Sequence, residues 1–411
     1  MITTAFIVEY NPFHNGHKLH LEKSKQITNA THCIGIMSGN FIQRGGPALF
    51  DKWHRAALAV KNGVDLVIEL PVLFASQSSE IFAKGSISIL NQLNMVDNLV
   101  FGSESNDVES LLMASELLAN ESELLSNSIK ENLKLGISYP KARENALKAI
   151  SKVDLSTTSN DILGLEYTKQ LILQKSSIKP HTIKRTGSTY NSLDLVGQIC
   201  SATAIREQLK TTLDINLQNF VPLPTYAMLE ELVKLDKIIH DESFFEFIRY
   251  NIICNLDRLS DIFDVNEGLH NKIYKAALTS STLDELASSI KSKRFTYTRI
   301  KRILFNILLE ITKSDMDIII NTTSPAPYVR VLAFNQKGTE LLNLMKKTSS
   351  IPIINKVSAF TPETELQRIS FVRVILKNSS KCFWEKISLL LNESATIVKN
   401  IHSLTTQTIS L

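Results

Sequence analysis

An α/β protein, with an N-terminal doubly wound parallel sheet followed by a mainly α-helical C-terminal part, is predicted by three features of the sequence. Short apolar, β-branched runs alternate with amphipathic helical patterns over the first hundred residues, the pattern of successive βαβ units. Twelve of the 14 glycines precede residue 198, as a region rich in tight turns requires. The later half, with only Gly268 and Gly338, is rich in Leu, Ile, Lys and Glu and reads as helix. A chain of 411 residues holds two or three domains of about 150 residues each, which can bury cores without disulfides or a structural metal.

The elements follow in order. A buried strand is expected at residues 4–9, a helix at 17–27 and a second strand at 33–37. Asp51 opens a helix as its N-cap and Gly63 ends it. Residues 66–70 read as a third strand, 80–93 as a helix, and 98–101 as a fourth strand that ends at Gly102. Residues 107–150 are helical and polar, 161–174 form a helix, and 180–185 supply a further strand. Ser201 caps a helix over residues 202–209. Residues 214–224 read as a connection, which divides the chain into parts 1–213 and 214–411. Helices follow, with short strands expected at 328–334 and 371–376. In such a sheet a ligand is expected at the carboxyl ends of the strands.

The net charge of +4 conceals an uneven distribution. Residues 291–411 carry 18 basic and 8 acidic side chains, a net of +10, so the remainder is acidic. Cys33, Cys200, Cys254 and Cys382 lack the short spacings of a zinc or redox motif and read as reduced thiols. The N-terminus lacks a basic signal-peptide region, and Glu69 and Pro71 interrupt the most apolar stretch. A cytoplasmic protein is expected.

The most specific motif is Glu9-Tyr10-Asn11-Pro12-Phe13-His14-Asn15-Gly16-His17, between the first strand and the first helix. Gly16 leaves room for a phosphate against the backbone, and the helix turns its N-terminal N–H groups toward that anion. The two histidines, three residues apart, can share one crevice and, protonated or donating N–H bonds, stabilise charge on a phosphoryl group and its departing pyrophosphate. A lone His-x-Gly-His is more often a capping histidine with an incidental neighbour; its place at the first strand-to-helix turn favours the functional reading.

His14-Asn15-Gly16-His17 resembles the signature of the nucleotidyltransferase superfamily related to class I aminoacyl-tRNA synthetases. Ser201-Ala202-Thr203-Ala204-Ile205-Arg206 resembles its second signature, with Ala202 where a hydroxyl is common. The run from Glu9 to His20, with Met37-Ser38-Gly39-Asn40-Phe41-Ile42-Gln43-Arg44-Gly45, Asp51-Lys52-Trp53, Glu69-Leu70-Pro71, Phe101-Gly102-Ser103-Glu104, Asn160-Asp161-Ile162-Leu163-Gly164-Leu165-Glu166-Tyr167 and Ile183-Lys184-Arg185, is similar to the bacterial tRNA(Met) cytidine acetate ligase family. The resemblance is densest over residues 1–104 and 158–210.

What it implies is an ATP-dependent ligase that activates acetate as acetyl-adenylate. The acetyl group then passes to the exocyclic amine of the wobble cytidine of elongator tRNA(Met), giving N4-acetylcytidine. ATP contacts carried over by motif fall on Ile7, Val8, Glu9, Tyr10, Asn11, Pro12, Phe13, His14, Asn15, Gly16, His17, Lys18, Leu19 and His20, and on Gly102, Asn160 and Arg185, with Arg206 in support. His14 and His17 are the implied catalytic pair. ATP with Mg2+ is the implied cofactor, no residue is assigned as a metal ligand, and the implied partners are the tRNA and acetate, with neither DNA nor a membrane. Arg44 and Lys52 read equally as phosphate or tRNA contacts and as solvated charges. Glu104 reads equally as an orienter of ribose or metal and as a helix cap, and Asn160 as an ATP contact or a cap.

Residues 291–302 hold six basic side chains among Phe295 and Tyr297. With Lys293, Arg294, Arg299 and Arg302 they are expected to bind RNA phosphates, the aromatics stacking on unpaired bases. Lys346, Lys347, Arg368, Arg373, Lys377, Lys381 and Lys386 extend the charge. Two competing readings are a nucleotidyltransferase that moves AMP or CMP onto a small phosphate-bearing metabolite, and an RNA-binding protein that uses ATP only as a structural or sensing ligand.

Overall fold

The structure, a computed structural model, describes residues 1–137, 139–151, 158–185, 200–211 and 217–378. Its strands are β1 (Thr3–Val8), β2 (His32–Ser38), β3 (Phe41–Ile42), β4 (Gly46–Pro47), β5 (Leu66–Leu70), β6 (Asn98–Ser103), β7 (Lys179–Lys184), β8 (Val329–Phe334) and β9 (Ile353–Ile354). Among the described residues, seven of them form one sheet in the order β7-β6-β1-β2-β5-β8-β9. The five from β7 to β5 run parallel, β8 adds antiparallel to β5, and the short β9 forms the edge beside β8. The chain runs from β1 through β2 to β5, then returns to the other side of β1 with β6 and β7. Its direction of winding therefore reverses between β1 and β6, where a doubly wound sheet opens its ligand crevice. Register pairs between these two strands are Thr4 with Asn98 and Ala5 with Leu99, at their amino ends.

The first part of the chain adds α1 (Asn15–Thr28), α2 (Lys52–Lys61), α3 (Val72–Ala75), α4 (Ser79–Leu93), α5 (Val108–Ala119), α6 (Glu123–Lys134), α7 (Tyr139–Ser151), α8 (Ser159–Leu173) and α9 (Ala202–Thr211). The helices expected from periodicity are all present, and Asp51 and Ser201 accept the backbone N–H bonds expected of caps. Next come α10 (Leu223–Lys234), α11 (Phe245–Cys254), α12 (Leu269–Thr279), α13 (Leu283–Ile290), α14 (Tyr297–Leu308) and α15 (Lys313–Asn321), then β8 and α16 (Gln336–Thr348).

The chain divides into two compact units, Met1–Lys356 and Val357–Leu411. Of the connection expected at residues 214–224, residues 214–216 lie outside the described residues, while 217–224 hold a short 3-10 turn (Leu217–Asn219) and the start of α10. β8, far beyond it, pairs with β5 as Leu66–Phe334 and Val67–Ala333. In the second unit, the stretch 371–376 is not a strand; it lies within α17 (Glu365–Asn378). The apolar, β-branched run alone reads as a strand, but a reciprocal cap precedes it. Thr364 Oγ1 accepts from Gln367 N–H at 3.1 Å, and Gln367 Oε1 accepts from Thr364 N–H at 3.3 Å. Lys381, Lys386 and Cys382 lie outside the described residues.

Two buried cations on α2 hold the carboxyl edge of the sheet. Arg55, fully buried, donates through Nη1 to the carbonyl of Glu9 at 2.6 Å, through Nη2 to those of Ser38 (3.0 Å) and Gly39, and through Nε to that of Phe50 at 3.2 Å. Burial lowers its pKa to about 10, which leaves it charged at neutral pH. Lys52, also buried, bonds both Glu69 oxygens at 2.8 and 2.7 Å. It is therefore neither a phosphate contact nor a solvated charge. Gly39 is required beside that pair, since a Cβ there would lie 2.5 Å from Glu69 Oε1. Arg55→Lys keeps the charge but cannot span four carbonyls. It should lower the free energy of unfolding by about 2–4 kcal/mol, with buried carbonyls left without donors. Urea denaturation checks this; a change below about 0.5 kcal/mol, the range of an ordinary surface substitution, would contradict it.

Candidate active site

A cavity of about 280 Å³ opens at the reversal point, lined by the end of β1, the turn into α1, the end of β6, α8, Arg185 and the start of α9. Of the expected ATP residues, Ile7, Val8, Glu9, Tyr10, Asn11, His14, Gly16, His17, Leu19, His20, Gly102, Asn160, Arg185 and Arg206 line it. Phe13 does not; it is buried against Tyr10, ring centroids 4.7 Å apart. Lys18 is exposed. Asn15 turns away, its backbone N–H donating to the Phe220 carbonyl at 3.0 Å and its Nδ2 to that of Asn219 at 2.9 Å.

The turn is built by a reciprocal histidine cap. His14 is the N-cap of α1, and its Nδ1 accepts from Gly16 N–H at 3.1 Å. His17 Nδ1 accepts in return from His14 N–H at 3.4 Å, and the two rings stack with centroids 3.8 Å apart. A backbone N–H can only donate, so both Nδ1 atoms are unprotonated and a neutral ring carries its proton on Nε2. Burial lowers the His14 pKa to about 3, aided by the positive charges of Arg185 and Arg206. His17 is held well below its ordinary value by burial, then by His14, His20 and Arg185, and His20 is lowered to about 4 by burial and Arg185. The pair thus offers neutral, directional N–H donors rather than imidazolium charge. The capping role weighed from the sequence is filled by both side chains, whose rings also line the cavity.

The second signature meets the first directly. Arg206 Nη1 donates to the carbonyl of Asn11 at 2.8 Å, and its Nη2 to Thr203 Oγ1 at 3.0 Å. Asn11 Oδ1 accepts from Leu49 N–H at 2.7 Å, which fixes its amide. Its Nδ2 is buried without a partner among the described residues, as is His20 Nε2. Both residues line the cavity, where the oxygens of a nucleotide would satisfy such a donor.

On the opposite wall, the α8 end carries Asn160, which does not cap its helix: Thr158 holds the N-cap position. Arg185 Nη1 donates to Asn160 Oδ1 at 3.3 Å. Arg185 packs over Gly102, where a Cβ would lie 3.3 Å from its Cγ. Arg44, weighed from the sequence as a phosphate or tRNA contact, lines the cavity from the loop between β3 and β4, and Asp161, given no role from the sequence, is buried against the loop after β6. No group of three or more His, Cys, Asp or Glu side chains that could hold a metal occurs among the described residues.

Residues 297–308 form α14 as expected, which places Arg299 and Arg302 one turn apart. Arg299 makes two bonds to Asp264, at 2.8 and 2.5 Å, and lies 4.7 Å from the Phe295 ring; Arg294 pairs with Glu267 and Lys301 with Asp241. Tyr297 donates to Asp284 Oδ1 at 2.7 Å. Phe295 and Tyr297 are thus engaged within the fold, whereas Lys293 is exposed. The backbone of Arg302 packs on the β3–β4 loop, leaving no room for a Cβ at Gly45.

A parallel sheet with a His-x-Gly-His turn at its reversal point, met by an arginine from a second signature, defines a nucleotidyltransferase of the HIGH class. A family model described as HIGH Nucleotidyl Transferase matches residues 1–383. The chain is 44% identical over 367 residues to the tRNA(Met) cytidine acetate ligase of Clostridium tetani, covering 87% of this chain and 91% of that one. It is 45% identical over 361 residues to that of Thermoanaerobacter sp. X514, covering 87% and 89%. The crystal structure of Thermotoga maritima TmcAL bound with alpha-thio ATP superposes with a TM-score of 0.85 at 32% identity, covering 94% of this chain and 95% of that one. The chain belongs to the tRNA(Met) cytidine acetate ligase family. No helix among the described residues is long and apolar enough to cross a membrane.

The histidine assignment has a spectroscopic consequence. At pH 7 the His14 and His17 rings should be neutral Nε2–H tautomers, and neither should titrate between pH 5 and 8. Long-range imidazole 15N–1H correlations check this, and a midpoint near 6.5 for either ring would refute it. Because His14 and His20 have folded pKa values below the unfolded value, their contribution to stability is complete above about pH 6.5. It declines as pH falls toward 4 and then 3.

Proposed function

We propose that this chain uses ATP to activate acetate and transfers the acetyl group to the wobble cytidine of elongator tRNA(Met). The observation that carries this reading is the stacked pair His14 and His17, whose Nδ1 atoms are both occupied by backbone N–H groups while the rings line the cavity at the reversal point. A relative 32% identical to the chain, described as bound with an ATP analogue, supports ATP as the occupant.

In the first step an acetate oxygen attacks the α-phosphorus of ATP, the bond to the β-phosphate breaks, and pyrophosphate leaves. The reaction asks for no protein nucleophile. It asks for donors that are stronger partners of the transition state than of the ground state. Neutral Nε2–H groups on His14 and His17 meet the phosphoryl oxygens as negative charge shifts onto them. Arg185 and Arg206 offset the remaining charge, and Gly102 lets the nucleoside lie against the end of β6. In the second step the cytidine amine attacks the acetyl carbonyl, AMP leaves, and the amine's proton is lost. Magnesium would accompany ATP on its phosphates.

The RNA is held by the basic part of the chain beyond residue 214, with Lys293, Arg294, Arg299 and Arg302 contributing phosphate contacts. A cytoplasmic enzyme whose nucleic-acid partner is RNA fits this reading.

Radiolabelled acetate, incubated with ATP and total tRNA, should enter tRNA as N4-acetylcytidine on nucleoside digestion. His14→Ala and His17→Ala should each lower acetate-dependent pyrophosphate release at least about 100-fold, the usual magnitude for losing a transition-state donor, while tRNA retention stays within about twofold. Equal loss of both would make the motif a folding element. Separately, replacing Lys293, Arg294, Arg299 and Arg302 together by Gln should weaken tRNA binding and reduce its salt slope by about one unit per lost phosphate contact. A filter-binding titration across salt concentrations that gives an unchanged slope removes this segment from the interface.

A further inference from the structure

Glu104 follows β6 and faces the first turn of α8. Its Oε1 accepts from Asn160 Nδ2 at 2.5 Å and lies 3.8 Å from Arg185 Nε, and its Oε2 accepts from Thr158 Oγ1 at 2.9 Å. An ionised carboxylate only accepts, so the Asn160 amide has one orientation, with Oδ1 turned toward the Arg185 guanidinium. The loop that carries Glu104 is itself fixed from behind. The buried Asp161 carboxylate takes the Ser103 hydroxyl at 2.5 Å, the Glu104 N–H at 3.2 Å and the Ser105 N–H at 3.1 Å. Arg185 N–H donates to the Ser103 carbonyl at 3.0 Å, so all three side chains stand on one braced corner. Glu104 does not cap α5, because Asp107 accepts the Ser110 N–H at 3.0 Å.

We propose that Glu104 is a positioning residue for ATP. It sets the Asn160 amide and holds the Arg185 guanidinium over the cavity at the end of β6, so that the nucleotide meets both already oriented. Its carboxylate binds neither the ribose nor a metal. This role rests on the assignment of the cavity to ATP.

Glu104→Gln, Asn160→Asp and the double variant, each made in the full chain, separate positioning from bulk stability. ATP affinity is read by calorimetry, and KM for ATP and kcat by acetate-dependent pyrophosphate release. Glu104→Gln should weaken ATP binding and raise its KM about tenfold, the magnitude of one charge-assisted contact, with kcat changed far less. Asn160→Asp places two carboxylates against each other and should weaken ATP binding by at least as much. In the double variant the new amide at position 104 donates to the new carboxylate at position 160, whose other oxygen faces Arg185. Affinity should then return to within about threefold of wild type.

Reciprocal rescue is the signature of orientation; a merely structural residue would shift thermal stability without it. Unchanged ATP affinity in Glu104→Gln, or a double variant that binds no better than Asn160→Asp, overturns the proposal. Should Glu104→Gln alone fail to fold, the comparison of Asn160→Asp with the double variant decides. If wild type binds no ATP, the assignment of the cavity fails and this role with it. If wild type and Glu104→Gln bind ATP equally, only the role of Glu104 fails.

Discussion

Beneath the carboxyl ends of β1 and β2, the Arg55 guanidinium donates to four carbonyls from three separate stretches of chain: Glu9, Ser38 with Gly39, and Phe50. Glu9 and Gly39 lie just past β1 and β2, Ser38 is the last residue of β2, and Phe50 lies just before α2. Without a shared donor, their carbonyls would be buried and unpaired. The turn into α1 begins at Glu9, whose carboxylate also takes the Gln43 N–H at 2.9 Å. The histidine cap is therefore built on a backbone whose exit angle Arg55 sets, and the β3–β4 loop is tied to the same residue.

From that fixed exit the chemistry follows with few additional parts. A helix N-terminus ordinarily takes a Ser, Thr, Asp or Asn side chain to satisfy its first N–H groups. Here imidazoles perform that task, and doing so fixes the tautomer of each. Burial keeps the His14 ring neutral, aided by the positive charges of Arg185 and Arg206, and both guanidinium groups line the same cavity, so cationic attraction and neutral donors stand side by side. The second signature is anchored to the first through the Asn11 carbonyl, so the two sequence motifs, almost two hundred residues apart, form one wall.

The five parallel strands and the helices between them up to residue 211 were legible from their periods, with caps at Asp51 and Ser201 marking two helix starts, whereas the short β3, β4 and α3 carry too few residues to show a period. The place of the cavity followed from the winding alone. What could not be read were partnerships between distant residues: Glu104 with Asn160, Lys52 with Glu69, β8 with β5. Lys52 and Arg55 left a signal that periodicity could have caught. Both fall on the stripe of α2 that also buries Ala56 and Ala59, where a cation must find a partner inside the fold. The basic run of residues 291–302 was legible as composition but not as surface, because Asp264, Glu267 and Asp241, which pair with half of its six cations, come from elsewhere in the chain. Residues 371–376 were misread because a short apolar run fits either period, and only the cap at Thr364 decides.

The antiparallel pairing of β8 with β5 bears on how this catalytic core could be borrowed or trimmed. All five residues of β5 are buried, and without β8 the strand would present a bare, apolar, hydrogen-bonding edge to any passing chain. A fragment that stopped after the second signature would keep every residue of the nucleotide cavity yet carry a template for aggregation. The N-terminal sheet is thus not a portable cassette. A chimaera that grafts it onto another RNA-binding part has to bring β8, or a charged or proline-bearing substitute for it, along with the motifs.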